Sequence, residues 1–155
     1  MTYGEKAENL FYSGCNCAQS VLVAFCDKTG MTEKQAMRMA SGFGGGMGRM
    51  REVCGAMSGA FMVLGCLYGY EEPGQEDLKK AHYSIVQDTA AKFREEYGTI
   101  ICRTLLGNPD DSPNPTPRTE EFYHHRPCGR FIRKAAEIVE EYIDSHPIPE
   151  QETLF

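Results

Sequence analysis

Apolar residues recur along this chain almost everywhere at helical spacing. Within residues 75–97, for example, Leu78, His82, Ile85 and Phe93 fall on one face of a long amphipathic helix. No stretch alternates between apolar and polar residues as a half-buried strand would. The pattern therefore predicts an all-α protein, a bundle of five or six helices. The predicted helices cover residues 4–12, 17–28, 33–40, 51–68, 75–97 and 128–146, with a short one over 101–107.

Polar residues support several of these helix boundaries. Asn16 is the predicted N-cap of the second helix, and Thr32 with Gln35 matches a capping box that opens the third. The predicted central helix begins at about Arg51 or Glu52 and carries almost no charge beyond that point, so we expect it to be buried. Small residues on one of its faces would let a second helix or a cofactor approach the backbone: Gly55, Ala56, Gly59 and Ala60.

The length and composition fit one globular domain. The chain has 155 residues, of which 41% are apolar and 25% charged. We predict a single domain over residues 1–155, with an exposed, proline-rich loop at 107–119. The net charge of -6 argues against a nucleic-acid partner. Because the N-terminus lacks the pattern of a signal peptide and the longest apolar run is short, we expect a cytoplasmic protein with no membrane partner.

Residues 42–59 are rich in glycine, which occupies seven of these eighteen positions. The Walker and G-x-G-x-x-G patterns are both missing and no strand precedes the segment, so a nucleotide or phosphate site is disfavoured. Glycine also leaves room where backbone passes close to a bulky group, and its exposed amides can donate hydrogen bonds to cluster sulfurs. We therefore predict that Gly44, Gly45, Gly46 and Arg49 contact a cofactor. The alternative is a tight connection between closely packed helices.

Seven cysteines is a high number for a chain expected in a reducing compartment, where cysteines indicate metal binding or redox chemistry more often than disulfides. Cys26 and Cys66 lie within apolar helical faces, and we interpret both as core thiols. Four others lie at predicted helix N-termini, where unpaired amides and the helix dipole favour a thiolate: Cys17, Cys54, Cys102 and Cys128. Arginines flank these four and would offset their charge: Arg51, Arg103, Arg126 and Arg130.

The motifs around these cysteines are similar to those of one protein family. They read GCNCAQ at 14–19, GFGGGMGR at 42–49, CGAMSG at 54–59, GTIICR at 98–103 and RPC at 126–128. Over about residues 5–143 the chain resembles the redox-active proteins named for the pattern C-GCAxxG-C-C. The resemblance implies that the four hallmark cysteines correspond to Cys17, Cys54, Cys102 and Cys128, with the extra Cys15 leaving either Cys15 or Cys17 as the first of them.

The family resemblance also bears on the cofactor. A related domain resembles part of the split-Soret cytochromes, which carry an iron–sulfur centre as well as haem. This chain has no C-x-x-C-H motif, so covalent haem is not expected. We therefore predict a redox-active or electron-transfer protein in which Cys17, Cys54, Cys102 and Cys128 hold an iron–sulfur cluster.

Two alternatives use the same thiols. One is a metal-free thiol–disulfide protein in which Cys17 or Cys15 pairs with Cys54. The other is a module that binds zinc or another soft metal. In each case the expected partner is a redox protein or a metal, and not a nucleic acid. A homodimer is compatible with the sequence, and so is an enzymatic role.

Overall fold

A computed structural model describes residues 1–152 and 154–155, and within them it contains nine α-helices and no strand. The helices are α1 (Tyr3–Tyr12), α2 (Cys17–Ala24), α3 (Cys26–Thr29), α4 (Glu33–Ala40), α5 (Gly55–Tyr68), α6 (Glu76–Tyr97), α7 (Cys102–Leu106), α8 (Glu120–His125) and α9 (Cys128–Ser145). A 3-10 turn, Ser41–Phe43, follows α4. The predicted all-α bundle is confirmed. Six of the helices have eight residues or more, and α3, α7 and α8 are shorter.

Side-chain caps fix the starts of α2 and α4, as predicted. Asn16 accepts a hydrogen bond from the amide of Gln19 at 2.8 Å, and the Gln19 side chain accepts one from the amide of Asn16 at 3.0 Å. Thr32 and Gln35 form the same reciprocal pair in front of α4. The predicted second helix is interrupted at Phe25, which separates α2 from α3. The Asn16 cap fixes the position and direction of the first turn of α2, and with it the direction of the free backbone amides there.

The buried centre of the fold is α5, which contacts α2, α6 and α9, while α1 lies along α9. The small-residue face of α5 meets α2, because a Cβ at Gly59 would lie only 2.8 Å from the carbonyl oxygen of Ala18. Close approach at this face was predicted and is confirmed. The core around α5 includes Phe11, Leu22, Phe25, Met57, Leu64, Phe93 and Ile132.

Three details differ from the sequence prediction. The central helix begins at Gly55 and not at Arg51 or Glu52, because Val53 lies in an extended segment that pairs with Ile101. Residues 120–125, for which the sequence predicted no helix, form the short helix α8. The two thiols predicted to be in the core, at positions 26 and 66, touch it but are only half-buried. Among the described residues, no helix combines the length and apolar character needed to cross a membrane.

Candidate functional site

The four cysteines predicted at helix N-termini all lie there. Cys17, Cys102 and Cys128 are the first residues of α2, α7 and α9. Cys54 is one residue earlier in its helix, at the N-cap of α5. Each sulfur is therefore attached next to backbone amides that have no partner within their own helix.

A short antiparallel contact brings Cys54 next to Cys102. The amide of Cys54 donates to the carbonyl oxygen of Ile100 at 2.7 Å, and the amide of Cys102 donates to that of Glu52 at 2.6 Å. Val53 and Ile101 face each other between these bonds. This pairing links the segment after the glycine loop to the start of α7, across almost fifty positions of sequence.

All four side chains line one cavity of about 440 Å³. Every pair of the four thiols is close enough for a charge on one to affect the pKa of another. The largest of these effects is a side-chain hydrogen bond between Cys17 and Cys128, which shifts the pKa of both thiols. Within the described residues, Cys15, Cys26 and Cys66 lie outside the cavity wall, and the sulfur of Cys15 instead lies 3.7 Å from that of Met37.

The glycine loop forms part of the cavity wall, and Gly44, Gly45 and Gly46 all line it. A Cβ at Gly46 would lie 2.7 Å from Cys102 Cβ. The amides of Gly45 and Gly46 have no acceptor among the residues that the structure describes. These glycines therefore permit close approach on the side of the cavity where Cys102 lies.

The loop is also wound through left-handed backbone conformations. Its glycines at 45, 46 and 48 have φ of 64°, 73° and 56°, and three residues with side chains share this region: Met47 at 67°, Arg49 at 63° and Arg51 at 63°. Left-handed φ is costly for residues with a Cβ and tends to persist where the surrounding structure enforces it. The contacts of the Arg49 and Arg51 side chains help to hold these two residues in the left-handed conformation.

Arg51 is 3% exposed and lies against the site. Its Nη1 lies 3.7 Å from Cys102 Sγ, and its Nε donates to the carbonyl oxygen of Asp110 at 3.0 Å. On the other side, the guanidinium of Arg126 lies beside Cys128. The sequence had indicated both arginines as charges that flank the thiols, and each lies beside one of the four thiols in the structure.

Arg49 lines the cavity, but its guanidinium is occupied by residues 108–118, a segment that we call the strap. It pairs with Asp110 Oδ2 at 3.3 Å and donates to the Ser112 carbonyl oxygen and to Thr116 Oγ1 at 2.7 Å. The strap belongs to the loop predicted to be exposed, and most of its residues are exposed. Its inner side, however, covers the cavity through Pro113, Pro115 and Thr116. No local sequence pattern signals these contacts between positions about sixty residues apart.

The four thiols differ in acidity. The hydrogen bond from Cys17, helped by the charges of Arg126 and Arg51, lowers the pKa of Cys128 to about 7 against the effect of burial. The same hydrogen bond, together with burial, raises the pKa of Cys17. Burial raises the pKa of Cys54 to about 12, although the amides of Ala56 and Met57 favour its thiolate. At Cys54 the effect of burial on the pKa is therefore larger than that of the backbone amides at the helix N-terminus.

Burial also dominates at Cys102, whose pKa is raised although the Arg51 guanidinium favours the thiolate. Without an added cation, three of the four thiols therefore favour the protonated form. Among the described residues, no three His, Cys, Asp or Glu side chains gather closely enough to surround a single ion. The sulfurs are instead distributed around the cavity.

One family model matches the chain, over residues 15–142. Its description is "Putative redox-active protein (C_GCAxxG_C_C)". Comparison with curated proteins and with solved structures finds no match. The matched range contains every residue of the cavity wall except Phe11. The chain therefore belongs to the C_GCAxxG_C_C family of redox-active proteins.

Proposed function

We propose that this protein transfers electrons through an iron–sulfur cluster held by Cys17, Cys54, Cys102 and Cys128. The observation that carries the proposal is the convergence of four thiols, from the N-termini of four helices, on one cavity. Thiolates are the usual protein ligands of such clusters. The ligand sulfurs of a cluster lie farther apart than those of a single metal ion. Four thiols distributed around a cavity fit the wider spacing.

The residues around the thiols suit such a group. Bound thiolates are negative, and Arg51 and Arg126 are adjacent to two of the four sulfurs. The unpaired amides of Gly45 and Gly46 can donate to sulfur, which is one of the ways in which proteins tune cluster potentials. A bound cluster would supply the capacity to take up and release electrons. The chain's own part is to bind it, to offset its charge and to limit the access of water through the strap.

The test is anaerobic purification followed by visible absorption and by iron, sulfide and zinc analysis. We expect a brown protein with iron and labile sulfide, and we expect Cys54→Ser to lose both. Cys66→Ser is the matched control, because Cys66 also lies on α5 but outside the cavity wall. A colourless protein that cannot be reconstituted with iron and sulfide, or one that carries zinc in place of iron, would refute the cluster.

A second candidate is thiol–disulfide chemistry between Cys17 and Cys128, favoured by the hydrogen bond between their side chains. The sequence suggested Cys54 as the partner of Cys17 or Cys15, and among the thiols Cys128 has the strongest effect on the pKa of Cys17. In such a reaction the two thiols lose two protons and two electrons to a small disulfide, which becomes two thiols.

Peptide mapping after equilibration in glutathione redox buffers tests this candidate. A reversible Cys17–Cys128 crosslink in iron-free protein, lost in Cys128→Ser and kept in Cys66→Ser, would support it. A Cys17 that stays reduced in every buffer would exclude it.

A further inference from the structure

The cavity presents a broad apolar surface in addition to its four sulfurs. At about 440 Å³ it falls in the size range of small-molecule sites, which are mostly apolar with a few polar groups. The apolar part of its wall comes from α1, α7, the strap, α8 and α9. It includes Phe11, Leu105, Leu106, Pro115, Phe122 and Phe131. Sulfur ligation alone gives no reason for this surface.

The cavity is also cationic. Four arginines line it, and Arg49 is paired with a carboxylate, that of Asp110. The other three, Arg51, Arg118 and Arg126, form no ion pair with a carboxylate of the described residues. Three such positive charges around one cavity, in a chain with a net charge of -6, favour an anionic occupant.

Two of these charges are close to a thiol of the cavity wall, and the third, Arg118, is close only to Cys15, which lies outside the wall. Arg51 lies beside Cys102, and Arg126 lies beside Cys128, so each can offset a thiolate. Arg118 has only neutral acceptors: the carbonyl oxygens of Phe11 and Cys15, at 3.3 and 3.2 Å, and the hydroxyl of Tyr123 at 3.2 Å. Its positive charge is left without a carboxylate partner among the described residues, and Arg51 and Arg126, not Arg118, lie beside the thiols of the cavity wall.

Aromatic rings surround Arg118. Its guanidinium carbon lies 4.8 Å from the ring centre of Phe11 and 5.0 Å from that of Phe122. Phe11 and Phe122 both line the cavity beside it. A charge fixed at the edge of an apolar wall can bind a molecule that carries an anionic group on an apolar body.

We propose that the cavity binds a small organic anion, with its anionic group on Arg118 and its apolar body against Phe11, Leu106 and Phe122. The inference deepens the proposed function and rests on it, since the bound anion would lie in the cavity that holds the redox thiols. The cavity would then bind an organic anion in addition to the electron-transfer group.

Titration calorimetry of the full-length protein, in the metal state in which it is purified, tests the inference. The probes are phenylacetate and 2-phenylethanol, which share an apolar body and differ in charge. We expect phenylacetate to bind at least about tenfold more tightly, and Arg118→Gln to remove that difference. Arg38→Gln is the control, because Arg38 is exposed on α4 and outside the cavity wall, and it should preserve the difference.

Arg118 also anchors the strap, so thermal unfolding of Arg118→Gln is recorded in parallel. If that variant does not fold, Leu106→Trp takes its place. By narrowing the apolar part of the cavity it should weaken the binding of phenylacetate about tenfold. An unchanged affinity in this variant would overturn the inference.

Other outcomes would also overturn it: equal affinities for the acid and the alcohol, no heat from either, or inorganic phosphate binding as tightly as phenylacetate. Iron content is measured on the same samples to separate the two proposals. Iron-loaded protein with no preference for the acid would refute the anion site and leave the cluster standing. Protein that cannot be loaded with iron and sulfide but selects phenylacetate would support the anion site and refute the cluster.

Discussion

At the scale of single residues, glycine is required in the cavity wall for two separable reasons. Gly46 and Gly48 both have left-handed φ, but only at Gly46 would a Cβ clash, at 2.7 Å from Cys102 Cβ. We expect Gly48→Ala to lower the free energy of unfolding by about 1 kcal/mol, from backbone strain alone. Gly46→Ala should cost about 2 kcal/mol more, because Cys102 and the backbone of Arg51 and Glu52 must move. Urea unfolding of both variants measures the difference, and equal losses would contradict it.

Cys128 is the residue whose chemistry depends most on its neighbours. In iron-free, reduced protein its lowered pKa means that the thiolate is populated above a pH of about 7. Its alkylation by iodoacetamide should therefore rise through that pH, ahead of the other cavity thiols. Cys17→Ala removes the hydrogen bond that stabilises the thiolate, so the midpoint should move upward by about one pH unit or more.

Mass spectrometry of alkylated peptides over a pH series measures that midpoint. Cys66→Ala is the control, since Cys66 lies outside the cavity wall and should leave the midpoint of Cys128 unchanged. A midpoint that is the same with and without the Cys17 thiol would show that the hydrogen bond does not set the acidity.

At the scale of structural elements, the strap is held over the cavity by polar contacts. None of its side chains belongs to the buried core of the described residues. The Arg49 side chain contacts three residues of the strap. The Arg103 side chain makes one exposed ion pair with the strap, to Asp111, and otherwise donates to the carbonyl oxygen of Met50. Exposed ion pairs of this kind contribute little.

We therefore expect Arg49→Gln to loosen the strap, whose other contacts include those of Arg51 and Arg118, and Arg103→Gln to leave it in place. Hydrogen exchange at residues 110–116 and the rate of cysteine alkylation should both rise, about tenfold, in the first variant only. The same rates in both variants would mean that Arg49 does not hold the strap. Because the contacts are polar, high salt should raise the rates of the unaltered protein in the same direction.

How far the sequence predicts these elements depends on how local the determining contacts are. The caps at Asn16 and Thr32 are local, and both were predicted correctly. The bridge between Val53 and Ile101 is not local, so the start of α5 was placed too early. The four cysteines could be selected because a helix N-terminus is a local feature. Their convergence on one cavity, and the strap that covers it, depend on contacts that no pattern within a short window can encode.

At the scale of the whole molecule, the fold aims the N-termini of α2, α5, α7 and α9 at one place. Helix N-termini carry partial positive charge, and the unpaired arginines add to it. An acidic chain thus surrounds a positive interior cavity. In the absence of a bound group, the protonated thiols of Cys17, Cys54 and Cys102 leave part of that positive charge unbalanced, which favours the uptake of an anion.

The same arrangement predicts how the stability of the iron-free, reduced protein depends on pH. Six cysteines have a raised pKa in the folded state. The chief cause is the hydrogen bond with Cys128 at Cys17 and burial at the other five, Cys15, Cys26, Cys54, Cys66 and Cys102. Thiols of the unfolded chain lose their protons near a pH of about 8.5. Above that pH the unfolded chain releases protons that the folded protein retains. The stabilisation is therefore complete below about pH 8.5 and is lost as the pH rises.

Urea unfolding between about pH 8 and 9, where the tyrosines of the unfolded chain are still largely protonated, measures this loss. Cys54, whose folded pKa is about 12, accounts for up to about 1.4 kcal/mol per pH unit above the unfolded value. Cys54→Ala should therefore be less stable at neutral pH, because it leaves a cavity, and yet depend less steeply on pH. The pKa of Cys128 is lowered in the folded state, so its contribution to the free energy of unfolding grows as the pH rises and cannot cause the loss of stability. A variant slope as steep as that of the unaltered protein would mean that Cys54 is not held protonated by burial.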